Sequence, residues 1–146
     1  MSEITPTQTL PTSLRWAGDD YFIATSPSGH ALTIDVSGER SKTAPGPLEY
    51  FIAGAGACTA ADVISILQKK RQDVTSYHVE IHTERRDEHP RSFRKVELRH
   101  ILRGRNLSED AVAHAVELST TKYCSALATL RPTAEVVASY VIEAEP

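Results

Sequence analysis

Basic patches, aromatic clusters and long apolar runs are all missing from this 146-residue chain, and each gap removes a class of function. The longest basic run is Lys69-Lys70-Arg71, and the formal net charge is −3. A phosphate backbone needs a sustained Lys/Arg surface, so nucleic acid is not expected as a partner. Aromatic residues make up only 6% of the chain and Met1 is the sole methionine, which leaves no base-stacking platform. The longest nearly apolar stretch, residues 48–61, contains Glu49, Gly54, Gly56 and Thr59 and is too short to span a bilayer, so no membrane association is expected. Residues 1–12 have no apolar h-region and hold two prolines, so they read as a flexible tail rather than a signal peptide. There are two cysteines and no C-x-x-C, which excludes a zinc ribbon. Nothing resembles H-E-x-x-H, G-x-S-x-G or a Walker loop, so neither metal nor cofactor is expected.

What remains is ordinary globular composition, with 40% apolar and 24% charged residues. The length suits a single α+β domain over residues 13–146. Residues 13–36 read as short strands broken by Gly18-Asp19-Asp20 and by Ser26-Pro27-Ser28-Gly29-His30, turn clusters of small and polar residues. Residues 37–47 read as a loop, with Pro47 suited to the first position of a helix. That helix is expected over about 48–72. Its first half is apolar on nearly every side and should be buried all round, its second half is amphipathic, and its cationic end complements the dipole. A domain of this size rarely covers such a helix alone, so two copies are expected to pack their central helices together. Residues 75–86 and 93–102 alternate cleanly and read as a hairpin over about 75–103. Ser108 caps a second helix over about 108–121, with Glu109 and Asp110 in its first turn. Residues 133–143 form a final alternating strand.

Chemistry, if present, concentrates at the thiols. Two cysteines in a reducing cytosol are either inert buried thiols or a working redox couple. Small residues crowd Cys58 in Ala53-Gly54-Ala55-Gly56-Ala57-Cys58-Thr59-Ala60-Ala61, leaving room for a narrow pocket or a close backbone approach. A reactive thiol needs a lowered pKa. An unbroken helix from Pro47 would put Cys58 about three turns inside, beyond the reach of the dipole. Either Gly54 and Gly56 interrupt the helix, or a cation must come from elsewhere: Arg40 first, then Arg15 or Arg85-Arg86. Cys124 follows the second helix. His78, Glu80 and His82 share a strand face, but positions four apart on a strand lie about 13 Å from each other, so a solvated polar face is the better reading.

The run from Pro45 through Cys58 to Val63 resembles the first-cysteine motif of the OsmC/Ohr family, and Lys122-Tyr123-Cys124-Ser125 resembles its second. Their order, their separation and the intervening β-hairpin match as well, so the resemblance covers about residues 13–143. The chain itself reads as cytoplasmic, and the resemblance implies an intertwined homodimer with two long central helices held between sheets to which both chains contribute. It also implies thiol-dependent reduction of small hydroperoxides, often organic ones, with Cys58 peroxidatic, Cys124 resolving and an external dithiol as reductant. Arg40 matches the family's activating arginine loosely in position. The partner carboxylate stands one place late, with Leu48 at the usual position and Glu49 after it, a turn of about 100° on a helix. Ser125 follows the second cysteine where many members have proline. The alternatives are a non-enzymatic dimer that binds a small apolar ligand and a thiol switch, both on the same fold. Thiol acidity at Cys58 separates the peroxidase from the first of these, and reversible oxidation without turnover would mark the second.

Overall fold

The computed structural model describes residues 10–38 and 43–145, so the expected tail over 1–12 falls largely outside the described residues. The chain divides into two compact units, residues 1–51 and 52–146.

In the first unit β1 (Ser13–Trp16), β2 (Tyr21–Thr25) and β3 (Ala31–Asp35) form an antiparallel meander in that order. Both turns fall at the expected clusters. Gly18 and Asp19 take φ of 95° and 45°, and Gly29 takes 85°, the left-handed backbone that reverses a chain most cheaply at glycine. Asp35 is buried at the end of β3 and accepts the Ser37 N–H at 2.9 Å and the Thr43 hydroxyl at 3.1 Å. Ser37, and then Thr43, hold its carboxyl well below the usual carboxylate range.

Helix α1 (Pro47–Lys69) starts where Pro47 predicts, and Glu49 accepts the Gly46 N–H at 3.2 Å, the N3-to-cap half of a capping box. It stops short of the expected Gln72. Arg71 adopts φ of 56°, its N–H reaches the Gln68 carbonyl at 3.0 Å, and the Gln72 N–H reaches Leu67 at 2.9 Å. That is a Schellman cap with an arginine where glycine is usual.

The second unit is built on the sheet β4-β5-β6. β4 (Asp73–Arg85) and β5 (Phe93–Arg105) form the expected antiparallel hairpin. Register shifts where Glu84 faces Lys95 and Arg85 faces Phe93, leaving Arg94 as the extra residue of a bulge. Strict alternation would put Phe93 with the exposed set, whereas the bulge turns it into the core. β6 (Glu135–Ile142) lies parallel to β5, and such a pairing needs a crossover. The crossover consists of α2 (Glu109–Leu118), capped by Ser108 as expected, a π turn over Ser119–Tyr123, and α3 (Ser125–Leu130). The sequence reading lacks both the π turn and α3.

Ala55, Gly56, Thr59, Val63 and Leu67 form the buried face of α1. Two apolar clusters meet it. One gathers Phe93, Val96, Leu98, Cys124, Leu127 and Leu130; the other gathers Leu102, Val112, Ala115 and Val116. Burial on all sides is not met within one chain: Leu48 and Phe51 are exposed, as are Ala53, Gly54, Ala57 and Ala61. By its 23 residues and mean hydropathy of 1.6, α1 is long and apolar enough to cross a membrane. The stretch read from sequence as too short for that is extended by the amphipathic half of the helix, and one face of it packs in the core. His100, fully buried on β5, bonds to the Tyr77 hydroxyl through Nδ1 at 2.7 Å, and its Nε2 has no partner among the described residues.

Candidate active site

Two of the four residues singled out by sequence meet in the second unit. Cys58 lies about three turns into α1, half-buried against the cluster that contains fully buried Cys124. α1 runs unbroken through Gly54 and Gly56, so the helix interruption considered from sequence does not occur. A third element does what a new helix start or an incoming cation was expected to do.

That element is the start of α3. Cys124 is its N-cap, with extended backbone at φ −73° and ψ 107°, and its sulfur accepts the Leu127 N–H at 3.4 Å. The Ser125 and Ala126 N–H groups, in the first turn, have no intrahelical acceptor. The Ala126 N–H is the strongest influence on the Cys58 thiol and holds it below its ordinary value. The Cys124 thiol and the Ser125 hydroxyl, 3.8 Å from Cys58 Sγ, act in the same direction. Partial burial and the negative charge of Asp62 oppose them. The Cys124 thiol is pushed up to about 11, chiefly by burial. The Cys58 thiol is therefore lowered and only half-buried, while the Cys124 thiol is raised and fully buried in the cluster against which Cys58 packs. This is the polarity that a nucleophile and a resolving thiol require.

Arg40 lies outside the described residues. Glu49 caps α1 in the first unit. Arg15 is on β1, while Arg85 and Arg86 bond to the carbonyls of Arg91, Phe93 and Thr133. Sequence reasoning missed Thr59, Asp62 and Ser119, a buried hydroxyl–hydroxyl–carboxylate line beside Cys58. The signal available was Thr59 and Asp62 on the Cys58 helix at one and four places beyond it. Among the described residues no group of three or more histidine, cysteine or carboxylate side chains could hold a metal ion.

The profile of the family described as OsmC-like protein matches residues 38–139. The chain belongs to the OsmC-like family. The OsmC-like chain is 42% identical over 131 residues to protein YhfA of Escherichia coli K12, covering 90% of this chain and 96% of that one. A hypothetical protein of Aquifex aeolicus VF5 has a solved structure 29% identical in sequence, with a TM-score of 0.81 over 92% of this chain and 96% of that one. The organic hydroperoxide resistance protein OhrB of Bacillus subtilis shares the fold, with a TM-score of 0.63 at 15% identity over 89% of this chain and 97% of its own. The OsmC-like fold, two sheets with helices, is thus the one its two motifs suggest.

Proposed function

We propose that this protein is a thiol peroxidase that reduces organic hydroperoxides. The observation that carries the reading is the packing of Cys58 against the cluster that holds Cys124, with the two thiols tuned in opposite directions, Cys58 lowered and Cys124 raised. The Cys58 thiolate attacks the peroxide O–O bond, leaving Cys58–SOH and an alcohol. The Cys124 thiol condenses with the sulfenic acid to give a disulfide and water. An external dithiol then returns both cysteines to thiols by exchange. The side chains packed around the pair, among them Ile52, Val79, Ile81 and Leu127, are apolar and favour an alkyl hydroperoxide over hydrogen peroxide. The resemblance to OhrB, whose name refers to organic hydroperoxide resistance, points the same way.

The protein works as a cytoplasmic homodimer on this reading. Two free thiols suit a reducing compartment, and a second copy would cover the exposed apolar side of α1. Arg40 and Glu49 enter as activating residues on the family resemblance alone. Consumption of an alkyl hydroperoxide with excess dithiol, compared among wild type, Cys58→Ser and Cys124→Ser, tests the reading. Turnover should vanish in Cys58→Ser. No turnover in wild type, with Cys58 titrating like an ordinary thiol, moves the reading to a non-enzymatic ligand-binding dimer.

A further inference from the structure

Ser119 is fully buried and bonded to both elements that carry a cysteine. Its carbonyl accepts the Cys124 N–H at 2.9 Å, closing the π turn. Its hydroxyl lies 2.7 Å from the Thr59 hydroxyl, 2.9 Å from Asp62 Oδ2 and 3.3 Å from the Thr59 carbonyl. A serine hydroxyl has one proton to give, and an ionised carboxylate can only accept. The carboxylate, which can only accept, takes that proton, so the line runs Thr59 to Ser119 to Asp62. Thr59 follows Cys58 directly, and Asp62 lies one turn further along α1. One side chain therefore ties the Cys58 turn of α1 to the backbone that presents Cys124. π turns are rare and frequent at functional sites, which fits a segment held in place from outside.

Resting on the redox role proposed above, we infer that Ser119 is the positioning residue for disulfide formation, its hydroxyl locking the π turn onto α1 so that the Cys124 sulfur stays aligned with that of Cys58. In this step the Cys124 sulfur gives an electron pair to the Cys58 sulfur. The S–S bond forms, the S–O bond of Cys58–SOH breaks, and the hydroxyl leaves as water with the proton from Cys124. Cys124 is oxidised and the sulfenic sulfur, first oxidised by the hydroperoxide, is reduced. A disulfide requires specific geometry, with Cα atoms about 4.4–6.8 Å apart and a restricted dihedral, so a loosened π turn slows this step. Attack of Cys58 on the peroxide draws on the Ala126 N–H beside Cys124 but needs no S–S alignment, so it is the less sensitive of the two steps.

The test uses the full chain with Ser119→Ala and Thr59→Val, the second removing only the hydroxyl that feeds Ser119. Thr121→Ala is the control, because that hydroxyl lies on the same turn but bonds the Glu117 carbonyl and is exposed. One equivalent of cumene hydroperoxide is added. Sulfenate is captured with a 1,3-dione, and the Cys58–Cys124 disulfide is followed by the mass of the linked peptides. The azo oxidant diamide replaces the peroxide in a parallel series. Both clamp variants should form sulfenate within about threefold of wild type yet form disulfide at least tenfold more slowly with either oxidant, while Thr121→Ala matches wild type. If Ser119→Ala does not fold, Thr59→Val decides alone. Folded variants forming disulfide at the wild-type rate overturn the inference, as does an equal slowing of sulfenate and disulfide. Should even wild type ignore the hydroperoxide while the diamide series shows the tenfold loss, the peroxidase reading falls and the positioning role stands.

Discussion

Gly56 governs how closely α1 approaches the sheet two residues before Cys58. A Cβ built there would lie 2.4 Å from Ile81 Cδ1, while the next nearest atom, Ile81 Cγ1, is at 3.7 Å. Gly56→Ala therefore sets two effects against each other. Alanine is better than glycine in a helix interior by about 1 kcal/mol. Overpacking costs about 1–3 kcal/mol, and the low end applies here because the obstacle is the tip of a flexible side chain. The net change should be a loss of about 0–2 kcal/mol. Ile81→Val deletes the obstructing methyl, at a cost near 1 kcal/mol by itself. With that atom gone, Gly56→Ala should turn stabilising by about 1 kcal/mol. Urea denaturation of the four chains measures the difference directly. A coupling of about 1–3 kcal/mol between the sites is expected, and additivity within about 0.5 kcal/mol would refute the close approach.

Three further outcomes follow from particular side chains. Arg71→Gly should stabilise the protein by roughly 0.5–1 kcal/mol in urea melts, since a left-handed C′ position suits glycine better than a side chain with a Cβ. Burial pushes His100 down to about 4 from 6.5, so the unfolded chain takes up the proton first as pH falls. The stability from keeping it neutral is fully present above pH 6.5 and is lost on descent towards pH 4, by about 3 kcal/mol. Melts at pH 7 and 4.5 should drop less in His100→Gln than in wild type, and equal drops would contradict this. Iodoacetamide at neutral pH should label Cys58 first in the native protein and Cys124 only after unfolding, as peptide masses would show.

Periodicity and punctuation were enough to read most elements. The Pro47 start, the Ser108 cap, the two glycine-bearing turns and the alternation of β4 and β5 each rest on a local rule, and local rules need no partner. The misses share a physical cause. The early end of α1 rests on an arginine taking a conformation that sequence rules reserve for glycine. Phe93 faces inward because of a bulge that no single strand's pattern reveals. α3 is only six residues long and begins at a cysteine, so neither length nor cap chemistry announces it. That gap hid what lowers the Cys58 thiol as well. A deep helical position rules out the dipole of its own helix, but the Ala126 N–H comes from a segment distant in sequence. The cysteines themselves were legible from two motifs in order. Ser119 was not, because a serine late in an amphipathic helix has no pattern until the opposing helix is in place.

The most direct test of the account is a single turnover. Reduced protein receives one equivalent of an alkyl hydroperoxide without reductant, and its cysteine peptides are then weighed. The account predicts loss of both thiols, one equivalent of alcohol and a Cys58–Cys124 linked pair. Intact peroxide with both thiols still free would contradict it.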